Sequence, residues 1–161
     1  MKVRYLVVAA SIGALGAFTV SSAIGAKRPV FPGVLFATAT GKKEVSPTTG
    51  KKGAGDKNAR AGFTAVFDDG QVCWGIAAKN VDGTPSGAHI HKGGANVNGP
   101  IVVGLTPPEN ADPGASSGCQ AIEEKLAKDI KQHPNRYYFN LHSTPKFPAG
   151  AARGQLSWKT K

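Results

Sequence analysis

The sequence predicts an all-β domain, a Greek-key sandwich or partly closed barrel, with one short helix near residues 121–132. Three observations carry this expectation. The chain holds 21 glycines and 11 prolines, a density that suits turns and opposes helices. Several stretches alternate apolar and polar residues with period two. A single stretch, AIEEKLAKDIKQHP, repeats its apolar residues at helical spacing.

In chain order, VLFATAT is the first strand, rich in Thr and Val and ended by Gly41. AGFTAVFDDGQVCWGIAA is the clearest hairpin. Phe63, Ala65 and Phe67 alternate with Thr64 and Val66, Asp69 and Gly70 supply the turn, and Val72, Trp74 and Ile76 return. Asp68 and Asp69 belong to that hairpin tip and are not a catalytic carboxylate pair. GAHIH and PIVVGL follow as strands around a glycine-rich bend, and TPPENADPGASSGC reads as a long loop. In the helix, Ile122, Leu126 and Ile130 share one face; Glu123 and Glu124 sit at the positive end, Lys128 and Lys131 at the negative end, and Pro134 stops it. Ser116 and Ser117 are expected to lead into this helix as caps, and His133 to cap its end. RYYFNLHS and RGQLSW close the domain.

Residues 1–26 read as a secretory signal peptide, with Lys2 and Arg4 before an apolar stretch and a small-residue exit cut after Ala23 or Ala26. The apolar stretch falls short of the roughly 20 residues a membrane span needs, so no transmembrane segment is expected after cleavage. Residues 27–161 are then a single domain. Export to the periplasm or the extracellular space would put Cys73 and Cys119 in oxidising conditions. A disulfide between them is the economical reading, and two buried thiols the alternative.

The formal net charge is +10, and GKKEVSPTTGKKGAGDKNAR carries six basic residues against Glu44 and Asp56. This reads first as a solvated loop, and second as a surface weakly attracted to anionic lipid or cell-wall polymer. Nucleic acid is an unsuitable partner, because no aromatic residue interrupts the basic run to stack a base. KGGANVNG lacks the glycine spacing of a dinucleotide or P-loop phosphate cradle and reads as a turn.

The chemistry lies in the histidines. Alternate residues of a strand share a face, so His89 and His91 point one way and Ala88 and Ile90 the other. In YYFNLH the same rule sets Tyr137, Phe139 and Leu141 on the apolar side, and Tyr138, Asn140 and His142 on the polar side. If the two strands are neighbours, His89, His91 and His142 can converge. Three neutral imidazoles without a carboxylate suit Cu or Zn and oppose Ca or Mg. A cupin would place a Glu soon after the histidine pair and a metallo-hydrolase an Asp and His; Lys92 and Gly93 stand here instead. Arg153 is expected either to pair with Glu44 and pin edge strands or to guide anions towards the histidines.

TATGKKEVSP, GAHIHKGGANVNGPIVVGL and NRYYFNLHSTPKFPAGAARGQLS resemble, in order, the three signatures of the CHRD (chordin-type) domain over about residues 33–158. That module is named from chordin and occurs in many exported bacterial proteins, of which a single-domain member would look like this. The resemblance implies a secreted, immunoglobulin-like β domain. The family's histidines fall on His89, His91 and His142, and its closing motif on Pro148, Gly150, Arg153, Gly154, Gln155 and Leu156. Ser46 stands where members often carry proline, and His133 where many carry a small residue. Chordin's binding of growth factors is not assigned to this module and does not carry over. A fainter likeness to Cu/Zn superoxide dismutase is one of fold and of a His-x-His, and that enzyme's remaining ligands have no counterparts here.

Two functions follow as expectations. The first is a non-enzymatic binding or structural module of the cell envelope or extracellular space, with an envelope component or protein as partner. The alternative is a Cu- or Zn-binding protein using the three histidines, with dismutase-like chemistry its remote extension. The reading leans against an enzyme.

Overall fold

In a computed structural model the described residues are 33–68 and 70–158; the expected signal peptide and Asp69 lie outside them. The strands are β1 (Val34–Thr40), β2 (Arg60–Asp68), β3 (Gln71–Lys79), β4 (Thr84–Lys92), β5 (Ile101–Leu105), β6 (Gly114–Ala121), β7 (Tyr137–Thr144) and β8 (Phe147–Gln155), with a helix α1 (Glu124–Gln132) between β6 and β7.

All pairings are antiparallel and form one eight-stranded sheet in the order β5-β4-β7-β8-β1-β2-β3-β6. The fold is therefore all-β and nearly closed into a barrel, with one short helix. The ladder is thinnest between β8 and β1, where Thr40 opposes Arg153 and a separate bridge joins Phe36 to Ser157. The outermost strands are tied by side chains. Gln120 Nε2 of β6 donates to the Gly104 carbonyl of β5 at 2.8 Å, and Ser116 Oγ to the Thr106 carbonyl at 2.7 Å. Edge groups that would otherwise invite a foreign strand are thus partly consumed.

Period two decides what fills the interior. Ala61, Phe63, Ala65 and Phe67 of β2 and Val72, Trp74, Ile76 and Ala78 of β3 are buried. Ala88 and Ile90 of β4 and Tyr137, Phe139 and Leu141 of β7 meet them from the other side. Phe63 and Phe139 stack across the middle, with ring centroids 4.8 Å apart. Helix α1 adds Ala127 and Ile130 to this core.

The predicted long loop before the helix is half strand. Residues 114–121 form β6, paired along β3 from Ala78↔Gly114 to Gln71↔Ala121. Ser116 and Ser117 accordingly sit within β6 and not at the helix start, where Glu123 is the N-cap. Small residues hid this strand, having no apolar alternation to reveal it. Their smallness has a cause at Gly118, where a Cβ would lie 2.7 Å from Cζ2 of the Trp74 ring. His133 is the C-cap of α1; its ring Nδ1 lies 2.9 Å from Asp129 Oδ1. Cys73 and Cys119 oppose each other on β3 and β6 and are joined by a disulfide.

Candidate metal site

β4 and β7 are neighbours, in register His89↔Asn140, His91↔Tyr138 and Gly87↔His142. The polar sides of the two strands therefore form one surface on the outside of the barrel. On it the candidate ligand nitrogens of His89, His91 and His142 all lie within 4.8 Å of one another. The His89 and His142 ring centroids are 5.0 Å apart, and those of His89 and His91 are 5.7 Å apart.

Two of the rings are oriented by the backbone. His91 Nδ1 lies 2.9 Å from the Gly99 carbonyl and His142 Nδ1 lies 3.0 Å from the Pro148 carbonyl. A carbonyl oxygen only accepts, so each Nδ1 carries a proton, and in the neutral tautomer this leaves the lone pair on Nε2. Both Nε2 atoms are buried without a hydrogen-bond partner, and so is Nδ1 of His89. This is the arrangement metal-binding imidazoles use, with one nitrogen held by an outer hydrogen bond and the other free to coordinate. Burial first, then the neighbouring His142 and His91, lowers the pKa of His89 to about 4. Burial also lowers that of His91, with the Gly99 bond opposing. Both shifts favour the neutral ring, the form in which a histidine coordinates.

Room for the rings comes from Gly87, where a Cβ would sit 3.0 Å from His89 Cε1 and 3.8 Å from His142 Cδ2. The glycine-rich bend after β4 supplies the rest. It folds back so that Lys92 N–H donates to Pro100 O at 3.0 Å and Gly93 N–H to Arg136 O at 2.7 Å. Arg153, 1% exposed, clamps the bend from β8 by donating to Gly94 O at 2.8 Å, Val97 O at 2.7 Å and Asn98 Oδ1 at 2.9 Å. Its guanidinium lies on the Tyr138 ring, and Tyr138 stacks in turn on His91 with centroids 4.7 Å apart.

Residues 35–156 match the sequence model of the CHRD domain. The chain belongs to the CHRD domain family. No curated protein matches it, and no solved structure does. The CHRD match spans β1 to the end of β8, so the histidine surface, the bend and the arginine clamp all lie inside it.

Glu44 and Arg153, paired in expectation, are both buried beside this CHRD surface and feel each other's charge. The guanidinium spends its hydrogen bonds on the bend, while Glu44 Oε1 accepts from Val45 N–H at 3.1 Å. Desolvation raises the Glu44 pKa above the usual carboxylate value, against the pull of Val45, Arg153 and Asn140.

Reasoning from sequence alone did not find the site's supports, which are Gly87, Gly99, Tyr138, Asn140 and Pro148. Tyr138 and Asn140 carried a signal in sharing parity with His142. The carbonyls of Gly99 and Pro148 carried none, because any residue offers a carbonyl.

Proposed function

We propose that this CHRD domain is an exported, non-enzymatic module that holds one transition-metal ion, Cu or Zn, on His89, His91 and His142. The observation that carries the proposal is that three histidines offer ring nitrogens within 4.8 Å of one another, and each of the three has a buried ring nitrogen without a partner. An unsatisfied buried polar atom calls for an explanation, and three in one place share one. A ligand set of imidazoles alone favours Cu or Zn over harder cations. Export is supported by the expected signal peptide and by the disulfide.

The test is elemental analysis of protein purified without a histidine tag, before and after titration with Cu(II) and Zn(II). One equivalent, lost on His89→Gln or His142→Gln, is expected. Less than about a tenth of an equivalent in the titrated wild type would refute the proposal.

A second reading concerns the segment between β1 and β2 together with Arg60, the first residue of β2. Lys42, Lys43, Lys51, Lys52, Lys57 and Arg60 are all exposed, while its two acids, Glu44 and Asp56, are turned inward. Asp56 accepts from the backbone N–H of Asn58 at 2.9 Å and of Asp82 at 2.7 Å. The outward face is therefore purely cationic and suits weak docking on an anionic envelope polymer or lipid. Co-sedimentation with anionic vesicles should fall steeply between low salt and about 0.5 M, where screening is strong. Retention indifferent to salt would remove this reading.

A further inference from the structure

Five buried side-chain atoms on or next to the histidine face have no hydrogen-bond partner: His89 Nδ1, His91 Nε2, His142 Nε2 and Asn140 Oδ1 on it, and Oε2 of Glu44, a neighbour of Asn140. Three are ring nitrogens suited to a metal. The other two are oxygens, which accept a hydrogen bond from a proton donor.

Asn140 stands nearest the ligands. It opposes His89 on β4 and Arg153 on β8, and it lies between Tyr138 and His142 on the same face of β7. Directly opposed residues on one sheet face have Cβ atoms about 5 Å apart, so its amide shares the floor of the site with His89. It is 3% exposed, so solvent does not satisfy Oδ1. Of its two polar atoms, Oδ1 is the buried one left without a partner, and an amide oxygen only accepts.

We infer that Asn140 is a specificity-determining residue of the metal site, whose Oδ1 accepts a hydrogen bond from a protic ligand, water in the resting state, at the metal's fourth position. The inference rests on the three-histidine reading above. Three histidine ligands leave a tetrahedral ion one position for an exogenous ligand. A ligand with a proton satisfies both the metal and Asn140; an aprotic anion sets its lone pairs against Oδ1. The site is therefore selective for hydrogen-bond-donating ligands such as water or alcohols over azide or halide.

The full chain loaded with Cu(II) tests this. Proton ENDOR in H2O against D2O should detect strongly coupled exchangeable protons on the ion. Azide, followed by its charge-transfer band, should bind about tenfold more tightly to Asn140→Leu than to the wild type, with Cu(II) affinity changed less than threefold. Asn140→Asp keeps the acceptor and should bind azide no better than the wild type. Copper bound without strongly coupled exchangeable protons, or equal azide affinity in wild type and Asn140→Leu, overturns the inference and leaves the three-histidine site standing. Should Asn140→Leu not fold, the ENDOR spectrum and Asn140→Asp decide, and tighter azide binding by Asn140→Asp overturns it. A wild type that takes up no copper defeats both readings and is told apart by the missing Cu(II) signal.

Discussion

The guanidinium of Arg153 lies over the Tyr138 ring, its Cζ 3.4 Å from the ring centroid, while its nitrogens hold the bend whose Gly99 carbonyl orients His91. One buried cation thus reaches a candidate ligand by two routes, ring stacking and backbone. Arg153→Lys keeps the charge but loses the planar fork that makes three bonds to the bend. It should cost about 2 kcal/mol in urea denaturation, and Arg153→Met about 3–5 kcal/mol, because Glu44 loses its compensating charge. Hydrogen exchange at the Gly99 amide should quicken in both. A lysine variant as stable as the wild type would contradict the clamp.

The metal-free protein should lose stability as pH falls from 6.5 towards 4. His89 has a folded pKa of about 4 against 6.5 unfolded, so in that window the unfolded chain binds more protons. Its contribution is complete above 6.5 and fades through the window; His91 acts in the same direction. Glu44, raised above 4.5 by desolvation, opposes them, since its native form takes up a proton first as the pH drops. Melting temperatures at pH 4.5 and 7 should therefore differ less in His89→Gln than in the wild type, and more in Glu44→Gln. An unchanged difference in both variants would refute the assignment.

Gly118 is where β6 passes Trp74. An added Cβ would meet Cζ2 at 2.7 Å and Cη2 at 2.9 Å, and the ring must move. Gly118→Ala should cost about 1–3 kcal/mol, the usual cost of overpacking, and shift the tryptophan emission. A neutral outcome in both would place the indole elsewhere.

The bridge between Cys73 and Cys119 spans 46 residues of sequence, although the β3–β6 ladder already sets the two opposite each other. Closing that loop in the unfolded chain is worth about 4 kcal/mol at most. Cys73→Ala/Cys119→Ala should therefore fold to the same sheet with a lower denaturation midpoint. Two titratable thiols in the denatured, unreduced wild type would contradict the bridge.

What could be read in advance followed how far each signal depends on its neighbours. β1 announced itself by its Thr and Val content, the β2–β3 hairpin and β7 because their own side chains alternate, and α1 because Ile122, Leu126 and Ile130 recur on one face. β6 did not, because GASSGCQA has its apolar partner, Trp74, on another strand. Ser116 was mistaken for a helix cap for the same reason. Its hydroxyl is spent on Thr106 O, a bond that exists only once β5 and β6 approach each other.

The sequence by itself determined the alternation that sends His89, His91 and His142 to the polar face, since period two is a property of any extended chain. Tertiary structure decided that β4 lies beside β7, that Gly99 and Pro148 aim the imidazoles, and that Asn140 sits among them with an unsatisfied oxygen. The ladder joins residues dozens of positions apart, while the carbonyls of Gly99 and Pro148 reach rings only eight and six positions away along the chain. Residue type does not encode a carbonyl's position, and only the folded sheet brings it to a ring.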